Sequence, residues 1–117
     1  MESPEECIFC RIVSGQIPAD IVLRGERAIA FRDINPQAPQ HLLIIPRKHI
    51  TSLGELASGE LITLGEMLNL AHTIAESYGY TQRGYRLVFN EGPDAGRTIS
   101  HLHFHFLAGR PLSWPPG

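Results

Sequence analysis

The sequence predicts an α+β domain in which a mostly antiparallel sheet of five strands packs with one long helix and a short N-terminal helix. Three observations support this. Short apolar runs are separated by glycine- and proline-containing turns, one stretch has apolar residues three or four apart, and 117 residues suffice for one modest core. We expect a single domain over residues 1–117, with residues 1–6 flexible and residues 109–117 forming a proline-rich tail.

Two cysteines, Cys7 and Cys10, lie three positions apart in the predicted N-terminal helical segment. The acidic residues 1–6 lack the apolar core of a signal peptide, and no apolar run approaches the ~20 residues that span a bilayer. We therefore expect a cytoplasmic protein without membrane association, in which a disulfide is disfavoured. A redox pair, a metal pair and two inert thiols remain open. A zinc site would need two more ligands, and the available histidines are His41, His49, His72, His101, His103 and His105.

Three apolar runs predict the first half of the sheet. Residues 21–23 and 28–32 are typical of two strands joined by a tight turn, and residues 41–46 are typical of a buried strand that ends at proline. Asp33 directly follows the second run. A carboxylate at a strand end most often forms an Asx turn with its own backbone.

One long helix is predicted over residues 58–78, with Ser58 as its N-cap and Gly79 as its terminator. His72 flanks the apolar stripe and is interpreted as a surface or hydrogen-bonded histidine without a chemical role. We expect this helix to act as scaffold. Its apolar stripe consists of Leu61, Leu64, Leu68, Ala71, Ala75 and Tyr78.

The last predicted strand, residues 98–107, contains three histidines that alternate with apolar residues. Strict alternation is the period of a β-strand, so His101, His103 and His105 are expected on one face and the apolar residues on the other. Two roles are open at this point. Two or three imidazoles could bind a metal, or one could act as nucleophile or acid–base group while the others position it.

The loop before this strand favours the second role. A strand is predicted over residues 85–89, with Asn90 at its end facing the site. Gly92 and Gly96 then allow the backbone to turn its N–H groups toward one point, as in loops that cradle phosphate oxygens. The loop delivers the Thr98 hydroxyl beside the predicted histidine face. Anion donors and a nucleophile are therefore expected in one small space.

The charge of the chain argues against binding to a nucleic-acid backbone. The formal net charge is −2, the sequence pI is about 6.3, and no run of basic residues is present. Any nucleotide is therefore expected to be held as a small molecule.

The segment 101–107 matches the signature His-x-His-x-His followed by apolar residues, and on it the sequence resembles the histidine-triad (HIT) family, in its Hint (phosphoramidase) branch. The likeness extends to residues 31–39, 41–46 and 114–117, and so covers nearly the whole chain. The resemblance implies a HIT-like fold. It also implies a homodimer in which two sheets join edge to edge, which is reasonable because an exposed edge strand invites pairing.

The resemblance further implies an activity, hydrolysis of the P–N bond of purine nucleoside phosphoramidates such as adenosine 5′-phosphoramidate. His103 would attack phosphorus and form a covalent nucleotidyl-histidine that water then cleaves. The implied catalytic residues are His41, His101, His103, His105 and Thr98. The implied nucleotide-binding residues are Ile8, Phe9, Ile12, Phe31, Asp33, Ile34, Leu43, Asn90, Gly96, Arg97, Thr98, His103 and His105.

A structural zinc site is also implied by the resemblance, formed by Cys7, Cys10, His49 and His101. Trp114 in the tail would reach across the dimer interface toward the partner's site. No metal would be needed for the chemical step.

Three other functions remain as alternatives. Two are enzymatic, hydrolysis of dinucleoside polyphosphates and nucleotidyl transfer, and the third is a non-catalytic role in nucleotide sensing or scaffolding.

Overall fold

The computed structural model describes residues 6–117, and the prediction of a flexible segment concerns mainly residues 1–5, which lie outside the described residues. Within the described part, the strands form one sheet in the order β1-β2-β3-β5-β4, and every neighbouring pair is antiparallel. The predicted α+β class with a five-stranded antiparallel sheet is confirmed. The strands are β1 Ile21–Arg24, β2 Ala28–Arg32, β3 Gln40–Pro46, β4 Arg86–Phe89 and β5 Phe104–Ala108.

Helices cover both faces of the sheet. Alternate residues of a strand point to opposite sides, and in the central strands both sets are apolar and need cover. Leu42 and Ile44 of β3 join the apolar cluster beneath the long helix, whereas Leu43 and Ile45 join a second cluster beneath the short N-terminal helix. The sheet therefore has two buried faces, and only the second one lies beside the histidines. The helices are α1 Ile8–Val13, α2 Leu53–Ala57, α3 Leu61–Tyr78 and α4 Tyr80–Arg83, with a 3-10 turn at Pro93–Ala95.

The single helix predicted over residues 58–78 is wrong at its beginning. The chain forms two helices there, and Ser58 is the C-cap of α2, so it does not begin α3. The side chain of Ser52 caps α2 by accepting a hydrogen bond from the Glu55 N–H. Gly79 ends α3 in the left-handed conformation, at φ +77°, as predicted.

The predicted apolar stripe of α3 is also partly wrong. Leu61, Leu68 and Tyr78 are exposed, and α3 instead buries a face centred on Met67 and Ile74. The reason is that α3 carries apolar residues at adjacent positions around much of its circumference. Periodicity therefore fixed their spacing but left open which side packs on the sheet.

The histidine segment becomes a regular strand only at Phe104, so the strand predicted from residue 98 is wrong over its first six residues. Pairing between β3 and β5 stops at Ile44 and Phe104, two residues before Pro46, which has no N–H to donate. Upstream of Phe104, the Leu102 N–H bonds to the Ile50 carbonyl instead. The predicted alternation survives, since Leu102 joins the cluster beneath α3 while the histidines point to the other side.

Two glycines with positive φ allow a test of how tightly the end of β5 is packed. A Cβ at Gly109, φ +101°, would lie 2.8 Å from the Pro39 Cβ, whereas a Cβ at Gly79 would meet nothing within 4 Å. We expect Gly79→Ala to cost about 1–2 kcal/mol through backbone strain alone. Gly109→Ala should cost roughly 1–3 kcal/mol more, because the contact with Pro39 adds overpacking. Urea unfolding of both variants measures the difference. Equal losses in the free energy of unfolding would show that the Pro39 loop moves aside for the added methyl group at no measurable cost.

Candidate active site

The pairing of β3 with β5 brings two histidines together on the face of the sheet that α1 covers. Leu43 of β3 lies opposite His105 of β5, so His41, two residues before Leu43, points to the same side. His41 Nε2 lies 2.9 Å from His105 Nδ1. The rings of His103 and His105 are 5.1 Å apart, and Phe9 of α1 contacts the edge of His103. Phe9 also contacts the ring of His101. His41, His101, His103 and His105 thus converge on one side of the sheet.

The hydrogen bond of His103 fixes which of its nitrogens carries the proton. His103 Nδ1 lies 2.8 Å from the carbonyl oxygen of His101. A carbonyl can only accept, so Nδ1–H donates and the lone pair resides on Nε2. The same bond would stabilise positive charge on the ring after Nε2 has formed a new bond. His103 Nε2 therefore has the free lone pair that a nucleophile requires.

A second chain of hydrogen bonds fixes the tautomers of His41 and His105. The Gln37 N–H donates to His41 Nδ1 over 3.0 Å, so the proton of His41 is on Nε2 and is donated to His105 Nδ1. The Asp33 carboxylate, 3.4 Å from His41 Nε2, favours the same arrangement. His105 must then carry its own proton on Nε2. The site thus offers one imidazole lone pair, on His103, and one imidazole N–H, on His105.

Burial keeps these rings uncharged near neutral pH. Burial, together with the neighbouring His103 and His41, lowers the pKa of His105 to about 4. Burial also lowers the pKa of His103 and that of His41, where Asp33 offsets part of the effect. The His101 pKa falls to about 4, again mainly through burial. Neutral histidine is the form that a nucleophile requires.

Asp33 forms the Asx turn expected at a strand end. Its Oδ1 accepts the N–H of Asn35 over 2.8 Å, and its Oδ2 faces His41. One carboxylate therefore shapes the loop between β2 and β3 and also contacts the histidine group.

An apolar cavity of about 340 Å³ lies between α1 and the β1–β2 edge of the sheet, and two of its lining residues, Phe9 and Asp33, contact His103 and His41. Small-molecule sites are typically concave, largely apolar and supplied with a few polar groups, and here Asp33 provides one at the rim. Ile34 is fully exposed and lies at the mouth. The cavity brings together seven residues predicted to bind a nucleotide, Ile8, Phe9, Ile12, Phe31, Asp33, Ile34 and Leu43.

A second cavity, also about 340 Å³, is polar and lies against the loop that precedes the triad. Arg97 and Thr98 line it, whereas the triad histidines do not. The amides of Gly96 and Arg97 already donate within the loop, to the carbonyls of Pro93 and Gly92. Asn90 follows the end of β4 and lines neither cavity. The predicted nucleotide residues thus fall into two groups, of which only the apolar one forms a single cavity.

The predicted metal ligands converge on the other side of His101. Cys10 Sγ lies 3.2 Å from His49 Nδ1 and 3.5 Å from His101 Nδ1, and Cys7 Sγ lies 3.4 Å from His101 Nδ1. All four ligand atoms are within 4.8 Å of one another. Tetrahedral zinc with ordinary Zn–S and Zn–N bonds places its ligand atoms about 3.4–3.8 Å apart. The spacing of this donor set therefore fits zinc.

The hydrogen bond of the His101 ring agrees with that fit. His101 Nε2–H donates to the Pro46 carbonyl over 2.9 Å, which leaves the Nδ1 lone pair directed at the two thiols. His49 Nε2 is buried and has no hydrogen-bond partner among the described residues. Cys7 and His101 are completely buried, so an ion held here would be shielded from bulk water.

Comparison with known proteins is consistent with this arrangement. The HIT domain profile matches residues 14–112 of the chain. The chain belongs to the HIT family. A HIT family hydrolase from Legionella pneumophila has the same fold, with a TM-score of 0.87 and 46% sequence identity, and the match covers 95% of this chain and 99% of that one.

Two relatives of known name are similar over most of their length. The purine nucleoside phosphoramidase of Escherichia coli K12 is 44% identical over 108 residues, which are 92% of this HIT chain and 91% of the relative. The 14 kDa zinc-binding protein of Zea mays is 42% identical over 112 residues, or 94% of this chain and 87% of the relative. Among residues 6–117 of the HIT chain, no helix has the length and apolar character that a membrane span requires.

Sequence reasoning missed two kinds of group in this HIT domain. The first is the backbone, since the Gln37 N–H and the Pro46 carbonyl fix imidazole tautomers but leave no mark in a residue pattern. The second is the wall of the apolar cavity formed by residues 17–20. The antiparallel register of β1 and β2 could have found it, because Ile21 lies opposite Phe31 and the preceding residues must flank the same cavity.

The lowered pKa values of the buried histidines predict acid-sensitive folding. In the unfolded chain these rings titrate near pH 6.5, whereas folded His105 and His101 resist protonation down to about pH 4. Unfolding therefore takes up protons in this window, and the free energy of unfolding falls as the pH falls from about 6.5 toward 4. We expect the metal-free protein, in which His101 is not a ligand, to take up about two protons or more near pH 5, measured as the pH dependence of urea unfolding in the presence of a chelator. His105→Gln should remove about one of them, and His72→Gln, at an exposed ring, is the control. An uptake unchanged in His105→Gln would contradict the assignment.

Proposed function

We propose that this protein hydrolyses the P–N bond of purine nucleoside 5′-phosphoramidates through a covalent nucleotidyl-His103 intermediate. The observation that carries the proposal is the lone pair on His103 Nε2, fixed by the bond from Nδ1–H to the His101 carbonyl, beside the N–H of His105. The name of the Escherichia coli relative, purine nucleoside phosphoramidase, supports the same reaction class.

In the first step His103 Nε2 forms a bond to phosphorus while the bond from phosphorus to the amine nitrogen breaks. The amine leaves after taking a proton from solvent. The ring of His103 becomes positively charged, and the His101 carbonyl stabilises that charge through Nδ1–H. His105 Nε2–H donates to a non-bridging phosphoryl oxygen as negative charge concentrates there. His105 needs no change of protonation for this role.

In the second step water attacks phosphorus and the bond to His103 breaks. The oxygen of water remains on phosphorus, and its proton replaces the one that the amine took from solvent. The products are a nucleoside monophosphate and a free amine, and His103 returns to its neutral form. The same donor, His105 Nε2–H, serves both steps because both pass through a crowded, negatively charged phosphorus centre.

Recognition of the nucleotide is assigned to the apolar cavity. Its walls would hold the purine, with the buried residues Phe31 and Leu43 inside the cavity and Ile34 at its mouth. Asp33, between this cavity and the histidines, would accept hydrogen bonds from ribose hydroxyls. The hydroxyl of Thr98 would contact the phosphate. The neighbouring amides of Gly96 and Arg97 already donate within the loop, so they are not assigned to the phosphate. Asn90 would support the phosphate side.

We also propose a structural zinc ion held by Cys7, Cys10, His49 and His101. Four nitrogen and sulfur ligands form a closed site, which supplies a cross-link between α1 and the segment before β5 and has no open position for a reactive water. The name of the Zea mays relative, a zinc-binding protein, supports this assignment. The residues of the chemical step do not depend on the ion for a bond to substrate.

A homodimer formed through a sheet edge would complete the site. β4 is an edge strand of the sheet, and the tail that follows β5 carries Trp114, whose side chain is 81% exposed. An exposed tryptophan offers a large stacking surface. We propose that it reaches the leaving-group side of the partner's site.

The function is tested by comparing hydrolysis of an adenosine phosphoramidate, a dinucleoside polyphosphate and a mixture of phosphoramidate and acceptor phosphate. We expect the phosphoramidate to be cleaved fastest. His103→Ala should lower that rate by about 10⁴-fold or more, because the nucleophile is lost. Binding of AMP should change by less than about tenfold, or ~1.4 kcal/mol, because base and ribose contacts lie elsewhere. His72→Ala is the matched control.

Faster cleavage of the dinucleoside polyphosphate, or transfer to the acceptor phosphate, would favour the corresponding alternative enzyme. Nucleotide binding without turnover would favour a sensing or scaffolding role. Substantial turnover by His103→Ala would remove His103 from the role of nucleophile.

The zinc assignment predicts one zinc per chain in protein purified without chelator, measured by elemental analysis. Cys7→Ser should lose most of the metal, because a buried site with three ligands binds zinc more weakly. His72→Gln, outside the cluster, should retain it. Absence of zinc from the native protein, or full retention in Cys7→Ser, would return the cysteines to ordinary thiols. Rapid inhibition by a chelator with the fold intact would make the metal catalytic.

A further inference from the structure

Arg110 lies just beyond the end of β5 and reaches back to the loop between β2 and β3. Its Nη2 and Nε donate to the carbonyl of Gln37 over 2.9 and 3.3 Å, and its Nη1 donates to the carbonyl of Pro111 over 3.0 Å. No carboxylate pairs with Arg110 among the described residues. The guanidinium therefore binds backbone oxygens, which fixes the position of one residue of the loop.

Gln37 is held from two sides. Its carbonyl accepts from Arg110, and its own N–H donates to His41 Nδ1 over 3.0 Å. The loop beyond it is confined as well, since Pro39 packs so closely on Gly109 that a Cβ there would lie 2.8 Å away. The segment that carries Arg110 and the segment that carries Gln37 thus form one packed unit.

The Gln37 N–H and the Asp33 carboxylate, which lies 3.4 Å from His41 Nε2, together set the proton positions of two rings. With this N–H in place, His41 Nδ1 accepts, His41 Nε2–H donates to His105 Nδ1, and the proton of His105 lies on Nε2. If the N–H turned away, only Asp33 would favour the proton on His41 Nε2, and part of the molecules could carry it on Nδ1. His105 would then have to donate from Nδ1 to His41 Nε2, leaving a lone pair on its own Nε2. A hydrogen-bond donor would have become an acceptor that repels a phosphoryl oxygen.

We propose that Arg110 is a positioning residue for His105 Nε2–H, the donor that faces the phosphate. Its hydrogen bonds to the Gln37 carbonyl hold the β2–β3 loop in place, and the loop sets the tautomer of His105 through His41. The part of this inference that concerns catalysis rests on the proposed function, whereas the tautomer itself does not. Among residues 6–117 Arg110 has no hydrogen bond to a histidine, and in this proposal it acts through the loop.

Arg86 provides a matched control on the same side of the molecule. Its Nη2 also binds backbone carbonyls, those of Leu112 and Ser113, at 3.5 and 3.0 Å. Arg86 therefore holds the tail, which Arg110 contacts at Pro111, and none of its hydrogen bonds among residues 6–117 reaches the β2–β3 loop. A comparison of the two arginines separates anchoring of the tail from control of the tautomer.

The experiment records imidazole ¹⁵N chemical shifts of the full-length protein, labelled with ¹⁵N-histidine, at pH 7.5, together with phosphoramidate kinetics. In the native protein and in Arg86→Met, His105 should be protonated on Nε2. In Arg110→Met, its ¹⁵N shifts should move toward a mixture of the two tautomers. The kcat should fall in proportion to the fraction of molecules that lose the donor, by about tenfold if nine tenths of them do, with KM changed less than about twofold. Arg110→Lys should give an intermediate result, since one ammonium replaces two N–H donors to the same carbonyl, and it carries the test if Arg110→Met does not fold.

Two results would overturn the proposal. One is a His105 tautomer that is unchanged in Arg110→Met and Arg110→Lys. The other is an equal tautomer change in Arg86→Met, which would assign the effect to the tail. If the native protein fails to cleave phosphoramidates, the proposed function is wrong, and the ¹⁵N shifts alone then decide the role of Arg110.

Discussion

The pairing of β3 with β5 at the centre of the sheet is the constraint on which the site depends. It places His41 and His105 on one face within hydrogen-bond distance, and it ends at Ile44 and Phe104. Because the ladder stops there, His101 and His103 are released from regular strand pairing while remaining next to it. Their carbonyls and rings can then bond to each other, to Pro46 and to the cysteine cluster.

Backbone groups fix the protons of the site. The carbonyl of Pro46 sets the tautomer of His101, that of His101 sets the tautomer of His103, and the N–H of Gln37 sets those of His41 and His105. These backbone partners are neutral, so they orient an imidazole without adding charge to a region of low dielectric, whereas the Asp33 carboxylate adds a charged partner at His41. Each imidazole thus presents a defined lone pair or N–H group to the site before any substrate binds.

The sequence was informative where side-chain chemistry and period determine structure. The histidine alternation predicted the shared face and the apolar runs predicted the strands, whereas the grouping of Cys7 and Cys10 with His49 and His101 came from the family resemblance. It failed where the outcome depends on tertiary packing. Apolar residues at neighbouring positions left the buried side of α3 undecided, and the role of Gln37 belongs to its main-chain N–H, which every non-proline residue has. The cavity wall at residues 17–20 needed the register of β1 and β2.

His101 serves its two neighbours with different parts of the same residue. Its ring faces the cysteines, whereas its carbonyl accepts from His103, and a carbonyl is present whatever the side chain. In evolutionary terms the two duties are inherited separately. A descendant with another amino acid at this position would lose one member of the cluster with Cys7, Cys10 and His49, and His103 would still carry its lone pair on Nε2, provided that the local backbone kept its path. The composition of the cysteine and histidine cluster can therefore change in such a lineage without changing the tautomer of His103.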